Sequence, residues 1–361
     1  MVAPKRCKQE LRYTRRSMSP SADSENSVWP RSRALVTGGA GFIGSALVWG
    51  LNQRGCAEVV IADHAAPAER KQNLRGLSFS EFIDPGTLFA RLSRGSLGKF
   101  DFVFHLGASS STTETDTDYL RRNNYEFSRD LAAWSHSAGV RFLYASSAAT
   151  YGDKQSGDDH DPRALEQLQP LNAYGHSKHQ MDLHAWRQGW LEHIVGLKYF
   201  NVFGPNEAHK GDMRSMVHKS FQQVRENGVV RLFKSYRPDF KDGEQKRDFL
   251  YVKDAVDMTL YLAAAPAAHG IFNIGSGQAH SWNELARAVF AALDLPPRIE
   301  YIAMPEAIRR QYQYFTQADI GKLRAAGYAH PITALDAAVR DYVVNYLVPD
   351  QSLGEAAPAR R

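Results

Sequence analysis

"TGGAGFIG", residues 37–44, overlaps the apolar run "ALVT" (34–37) and leads into "GSALVWGLNQRG" (44–55), which has helical spacing and a terminal glycine. Gly38, Gly41 and Gly44 recur every three residues between a strand and a helix. That order suits a phosphate cradle. Gly38 permits the tight turn, Gly41 lets the backbone approach a pyrophosphate, and Gly44 allows close helix–strand packing, with the helix N-terminus facing the negative charge. The next β-branched run, "EVVIAD" (58–63), ends in Asp63, 19 residues after Gly44. A carboxylate at that interval suits an adenosine ribose. Asp63 alone favours NAD, because it repels a 2′-phosphate. His64, Arg70 and Lys71 follow closely and suit that phosphate, so the residues leave NADP and NAD both open.

Working outward, "FDFVFHLGA" (100–108), "VRFLYASS" (140–147) and "HIVGLKYFNV" (193–202) read as strands. They alternate with helical patterns at 123–139 and 172–191. Alternation of this kind predicts an α/β fold: a Rossmann-type, doubly wound parallel sheet covered on both faces. Beyond residue 205 the order changes. "RSMVHKSFQQVRENG" (214–228) and "WNELARAVFAALD" (282–294) read as separate helices, "GIFNIGSG" (270–277) as a strand and turn, and "RPDFKDGEQKRD" (237–248) as a polar loop. The expected layout is a basic leader at 1–32 and a nucleotide-binding domain at 33–205 that recruits returning segments. A smaller, partly helical substrate lobe follows at 206–348, with a tail at 349–361.

The chain has 361 residues, 43% hydrophobic, which suffices for a sizeable core. Its net charge of +5 resides in residues 1–33, where eight Lys/Arg face three acids; the remaining chain carries 36 of each sign. A neutral body with no apolar run of membrane-spanning length predicts neither a membrane span nor a nucleic-acid surface. The leader is rich in Ser and Pro, lacks the apolar core of a secretion signal, and reads as a disordered extension. Two cysteines, Cys7 and Cys56, cannot build a disulfide framework, so a reducing, cytoplasmic compartment is expected. No metal site is expected.

Tyr174 and Lys178, in "YGHSK", are related as i and i+4 and so share one helix face. A phenol of pKa about 10 is a poor base at neutral pH. A neighbouring ammonium stabilises the phenolate and brings proton transfer within reach. Ser147, in "YASSAATYG" (144–152), ends the preceding strand and offers a hydroxyl to the reacting oxygen.

With these residues in place, the chain resembles the extended short-chain dehydrogenase/reductases acting on nucleotide sugars, over roughly residues 33–345. Ala148 and Ala149 stand where the dehydratases of that superfamily carry an Asp-Glu pair after the catalytic Ser/Thr, leaving no acid to eliminate water. "SSSTTE" (109–114), "YFNVFGPNEAHKGDM" (199–213) and "YQYFTQADIGKLRAAGY" (312–328) narrow the resemblance to the ADP-L-glycero-D-manno-heptose 6-epimerase family of bacterial lipopolysaccharide biosynthesis. The alternative is another nucleotide-sugar epimerase, such as a UDP-hexose 4-epimerase. The resemblance implies Tyr174 and Lys210 as two acid/base groups around C6 of an ADP-heptose, with Ser147 and Lys178 assisting and NADP as the hydride carrier. It further implies cofactor contacts from Phe42, Ile43, Leu106, Gly107, Ala108, Ser109, Ser110 and Asn123. Substrate contacts are implied at Asn201, Val202, Asp212, His218 or Lys219, Phe233, Arg247 and Tyr312. Asp212 stands where the family has serine. The resemblance also implies a bacterial, cytoplasmic homo-oligomer, a pentamer.

Overall fold

Seven short strands follow one another through the first 274 residues, and the computed structural model sets them side by side. It describes residues 27–64, 71–153, 156–157, 159, 161–309 and 312–355. The strands are β1 (Arg33–Thr37), β2 (Glu58–Ala62), β3 (Glu81–Ile83), β4 (Phe102–His105), β5 (Arg141–Ser147), β6 (Val195–Tyr199) and, after a short β7 and a longer β8 described below, β9 (Gly270–Ile274). All pair in parallel, in the order β9-β6-β5-β4-β1-β2-β3. The chain runs outward from β1 to β3, then returns to place β4 on the other side of β1. That reversal opens a crevice at the carboxyl ends of β1 and β4, where ligands of open α/β sheets lie.

Alternate residues along a strand face opposite sides, and two buried cores result. Val36, Phe104, Leu143 and Leu197 join one; Leu35, Val103, Phe142 and Tyr144 join the other. Helices cover both: α1 (Phe42–Gln53), α2 (Pro85–Ser93), α3 (Phe127–Ser137), α4 (Ala173–Arg187), α5 (Met216–Asn227), α6 (Val252–Ala264), α7 (Trp282–Ala292) and α8 (Leu335–Tyr342). The pattern at 123–139 resolves into a π-helical turn, Arg121–Glu126, leading into α3. Helix α6, from beyond residue 205, packs on α1. A Cβ at Gly50 would lie 2.3 Å from Val256 Cγ1, so only glycine admits the contact.

Two sequence expectations change in detail. The run 193–202 is two strands rather than one. Phe200 bonds through its N–H to the Ile274 carbonyl (3.0 Å), and the chain then steps out of the main sheet into β7 (Asn201–Phe203). There it pairs with β8 (Lys246–Tyr251), which also pairs antiparallel with β10 (Ala279–Ser281). The end of the presumed polar loop 237–248 therefore belongs to β8, held by Lys246 N–H to the Tyr314 carbonyl (2.9 Å). Buried Asp248 gathers the adjoining turns, accepting from the N–H groups of Ser276, Gly277 and Ala318 at 2.6–3.0 Å. Among the described residues, no helix is long and apolar enough to cross a membrane. Most of the basic leader and the end of the tail lie outside the described residues.

Candidate active site

The glycine turn is built as a backbone cradle. Gly38 has φ +69° and bonds through its N–H to the Ala62 carbonyl at 2.8 Å. A Cβ there would lie 2.6 Å from the Gly107 nitrogen, and one at Gly44 would lie 2.0 Å from the Gly38 carbonyl. Gly41 caps α1 with no side chain between the helix end and solvent. Across the crevice, Leu106 to Ser109 continue β4 as a half-buried segment, with Ser110 exposed beyond them. Phe42 and Ile43 open the first turn of α1. The first turn of α1, facing the crevice between these close walls, fits the diphosphate of a dinucleotide.

Asp63 ends β2 as expected, but its carboxylate is turned inward. It accepts from Ala40 N–H (3.0 Å) and His64 N–H (2.8 Å), tying the cradle to the sheet. His64 itself is exposed, and Arg70 lies outside the described residues. Asn73 adds a second tie, donating to the Ala40 carbonyl at 3.0 Å.

Asn123 is half-buried and donates to its neighbour Asn124 at 3.0 Å. Asn124, which sequence reasoning missed, is the wired member of this pair. It brackets Ser109, accepting from its N–H (2.8 Å) and donating to its carbonyl (3.0 Å), and reaches Ser177 on α4 at 3.0 Å. Its place on the π turn, a feature common at functional sites, is the signal, and that turn is visible only in the fold.

Asn172 fixes the start of α4 by accepting from Gly175 N–H at 2.8 Å. That cap sets Tyr174 in the first turn and Lys178 one turn later on the same stripe. Ser147 and Tyr174 line one cavity of about 390 Å³, together with Asn201, Tyr312 and Thr112. Burial raises the Tyr174 phenol above its ordinary value, and the Ser147 hydroxyl draws it partly back. The expected lowering of the phenol is therefore not what the fold produces, because desolvation outweighs the hydrogen bond. Lys178 is 4% exposed and donates to the Ala145 carbonyl at 2.9 Å. Burial lowers its amine to about 8, against an opposing pull from Asp182.

Lys210 approaches from a different element. It lies in the 3₁₀ segment Ala208–Met213, and its amine sits 5.4 Å from the centre of the Phe42 ring, above the cradle helix. The same segment reaches the cavity wall where the Thr112 hydroxyl meets Met213 Sδ at 3.9 Å. Buried Glu207 clasps its two ends, accepting from Ser215 N–H and Oγ, both at 2.6 Å. Burial lowers the Lys210 amine, while Glu207 pulls it upward.

The other anticipated substrate residues divide into two groups. Arg247, 7% exposed, is flanked by the Trp282 and Tyr312 rings, its guanidinium carbon 5.7 and 5.3 Å from their centres. Phe233 meets Tyr312 edge-on at 6.4 Å, so Phe233, Arg247 and Tyr312 form one cluster at the cavity edge. Val202 is half-buried on β7, beside Asn201. His218 is buried against α8, its Nδ1 3.0 Å from the Tyr342 hydroxyl. Lys219 donates to the carbonyl of exposed Asp212 at 2.6 Å. None of these last three lines the cavity. Among the described residues no His/Cys/Asp/Glu cluster is arranged to hold a metal.

The profile of the NAD dependent epimerase/dehydratase family matches residues 34–275. A relative from Nitratidesulfovibrio vulgaris named ADP-L-glycero-D-manno-heptose-6-epimerase is 48% identical over 314 residues, covering 87% of this chain and 97% of its own. The crystal structure of the Helicobacter pylori ADP-L-glycero-D-manno-heptose-6-epimerase superposes with a TM-score of 0.75 at 28% identity, covering 90% of this chain and 98% of that one. A Bacillus cereus UDP-glucuronic acid 4-epimerase, solved with UDP-glucuronic acid and NAD, superposes at 0.69 with 25% identity, covering 86% and 99%. The cradle, the Tyr174–Lys178 helix and these likenesses agree: the chain belongs to the NAD dependent epimerase/dehydratase family, in the branch of the ADP-L-glycero-D-manno-heptose-6-epimerases.

Proposed function

We propose that this protein inverts C6 of the heptose in ADP-D-glycero-β-D-manno-heptose, giving the L-glycero epimer used in lipopolysaccharide core biosynthesis. The observation that supports the reading is a phenol and an amine on separate elements, which the proposal takes as the two acid/base groups. Tyr174 lines the cavity from α4, while Lys210, which is not among the residues lining it, stands on the 208–213 segment with its amine over the Phe42 ring. A nicotinamide cofactor held at the Gly38–Gly44 cradle would supply the hydride chemistry at C6, accepting the hydride and returning it to the opposite face of the ketone.

The proton side of that exchange falls to the chain's own residues. Lys210, with a lowered amine, is suited to take the proton of the C6 hydroxyl. Tyr174, with a raised phenol, is suited to give one back once the sugar has turned. Ser147 would donate to the same oxygen, and Lys178, on the same stripe of α4, would offer its amine to the cofactor ribose. Arg247, held rigid between two rings, suits the substrate diphosphate. NADP is the proposed cofactor. One Asp63 oxygen accepts from Ala40 N–H in the cradle and the other from the N–H of His64, whose side chain stands exposed for a 2′-phosphate.

Incubation of the purified protein with ADP-D-glycero-D-manno-heptose, without added cofactor, is expected to yield a mixture of C6 epimers by chromatography. An unchanged substrate after long incubation rejects this assignment. Denaturing the protein is expected to release NADP, identified by mass; NAD alone would correct the cofactor.

A further inference from the structure

A fully buried ionic cluster lies behind the proposed acid/base set. Asp182 is the third member of the stripe Tyr174, Lys178, Asp182 on α4, spaced by four residues each time. Its carboxylate accepts from the Tyr144 hydroxyl (2.9 Å) and the Ser146 hydroxyl (2.7 Å), both on the strand that ends in Ser147. Lys198, from β6, places its amine 3.3 Å from the same carboxylate, and both side chains have zero exposure. Lys198 also donates to Thr150 Oγ1 at 2.6 Å and lies 4.3 Å from the Tyr151 ring centre. The Thr150 hydroxyl donates onward to the Ser147 carbonyl at 2.8 Å.

Desolvation offsets the attraction within a pair this deep, so stability alone is a weak reason for its presence. Its connections supply a better one. One carboxylate and one amine join α4, β5, β6 and the turn after Ser147, the elements that set the spacing of Ser147, Tyr174 and Lys178. We propose that Asp182 and Lys198 are positioning residues for the reaction. Asp182 pins the Lys178 helix to the Ser147 strand, and Lys198 braces the turn behind Ser147 through Thr150. The inference rests on the reading of Ser147, Tyr174 and Lys178 as reacting groups.

Asp182 on α4 and His105 on β4 are the charged or titratable groups coupled to Lys178; Asp182 also acts on Lys198, Tyr144 and His179, and Asp159 acts on Lys198. His105 is held neutral by burial, so Asp182 is the anion that keeps the Lys178 proton in place.

The test compares the full-length protein with Asp182→Asn and Thr150→Val. Both are expected to unfold cooperatively and retain cofactor, with kcat lower by roughly 10- to 100-fold and KM for ADP-heptose unchanged. Asp182→Asn is also expected to move the Lys178 titration to lower pH, followed by competitive amine labelling and mass spectrometry. If Asp182→Asn does not fold, Thr150→Val, which leaves the ion pair intact, carries the kinetic comparison. Wild-type kcat in the folded variants, or an unmoved Lys178 titration in folded Asp182→Asn, overturns the proposal. Wild-type protein inert toward ADP-heptose counts against the substrate reading instead, and the labelling titration then decides the inference.

Discussion

Tyr174 and Lys210 are pushed by the same cause, burial, in opposite directions: the phenol up and the amine down. Desolvation disfavours whichever form is charged, so it keeps the phenol protonated and lets the amine shed its proton more readily. In the proposed mechanism, two groups of nearly equal intrinsic pKa are thereby set to start as acid and base. The division of labour predicts complementary half-reactions. Tyr174→Phe and Lys210→Met should each lower epimerisation by roughly 10²- to 10⁴-fold, the usual range for a positioned acid or base. Each variant should still oxidise the epimer whose proton the surviving group can take. In a single turnover, the near-ultraviolet absorbance of reduced nicotinamide should therefore appear with one epimer for Tyr174→Phe and with the other for Lys210→Met. Both variants responding to the same epimer would contradict the assignment of the two groups to opposite orientations.

At the scale of elements, caps decide where functional side chains sit. Helix α7 starts with a reciprocal capping box: Ser281 Oγ accepts from Glu284 N–H at 3.1 Å, and the Glu284 carboxylate accepts from Ser281 N–H at 2.6 Å. Its first residue, Trp282, packs on Arg247 and donates to the Tyr312 hydroxyl at 2.9 Å, so the cap also registers the Arg247–Tyr312 cluster. Ser281→Ala should remove about 1 kcal/mol of stability. This would appear as a lower denaturant midpoint with an unchanged slope, accompanied by weaker binding of the ADP moiety. A variant with full stability would show that the helix is anchored by Trp282 rather than by its cap. The Asn172 cap of α4 belongs to the same class; the i, i+4 spacing of Tyr174 and Lys178 was legible, whereas the cap that places them was found only in the fold. The glycine cradle and six of the seven sheet strands were legible for the same reason: local chemistry specifies them. Other features were not. The break at Phe200 depends on β9 offering a carbonyl, and α6 is buried over most of its surface although Lys253, Asp254 and Asp257 interrupt its apolar run. Asn124 gains its partners from a π turn, and Asp182 from two strands distant in sequence. Neither leaves a mark in its neighbours along the chain.

At the scale of the whole molecule, the charges within the body are balanced, and its response to acid is governed by which groups are buried. His105 sits between Thr37 Oγ1 (2.6 Å) and Ser128 Oγ (2.7 Å), at the foot of the crevice, with burial and the nearby Lys178 lowering it to about 3. His218, behind the Lys210 segment, is lowered to about 4 by burial and Arg214. A histidine whose folded pKa is depressed contributes stability that is complete above its unfolded value, about 6.5, and is lost as pH falls toward the folded value. The unfolded chain binds the proton first, and each unit of pH below 6.5 favours unfolding by about 1.4 kcal/mol per such histidine. For His105, the change from pH 7 to pH 5 should therefore remove about 2 kcal/mol. Raised carboxylates such as Glu207 and Asp248 work the other way, gaining as pH falls, so total stability alone cannot isolate the histidine. The difference between proteins can. His105→Asn keeps a hydrogen-bonding side chain between Thr37 and Ser128 but cannot titrate. Its denaturation free energy should be lower than that of the wild type at pH 7, and the gap should narrow steadily toward pH 5. Parallel curves across that window would mean that His105 enters the folded state already able to bind a proton, through water reaching the floor of the crevice.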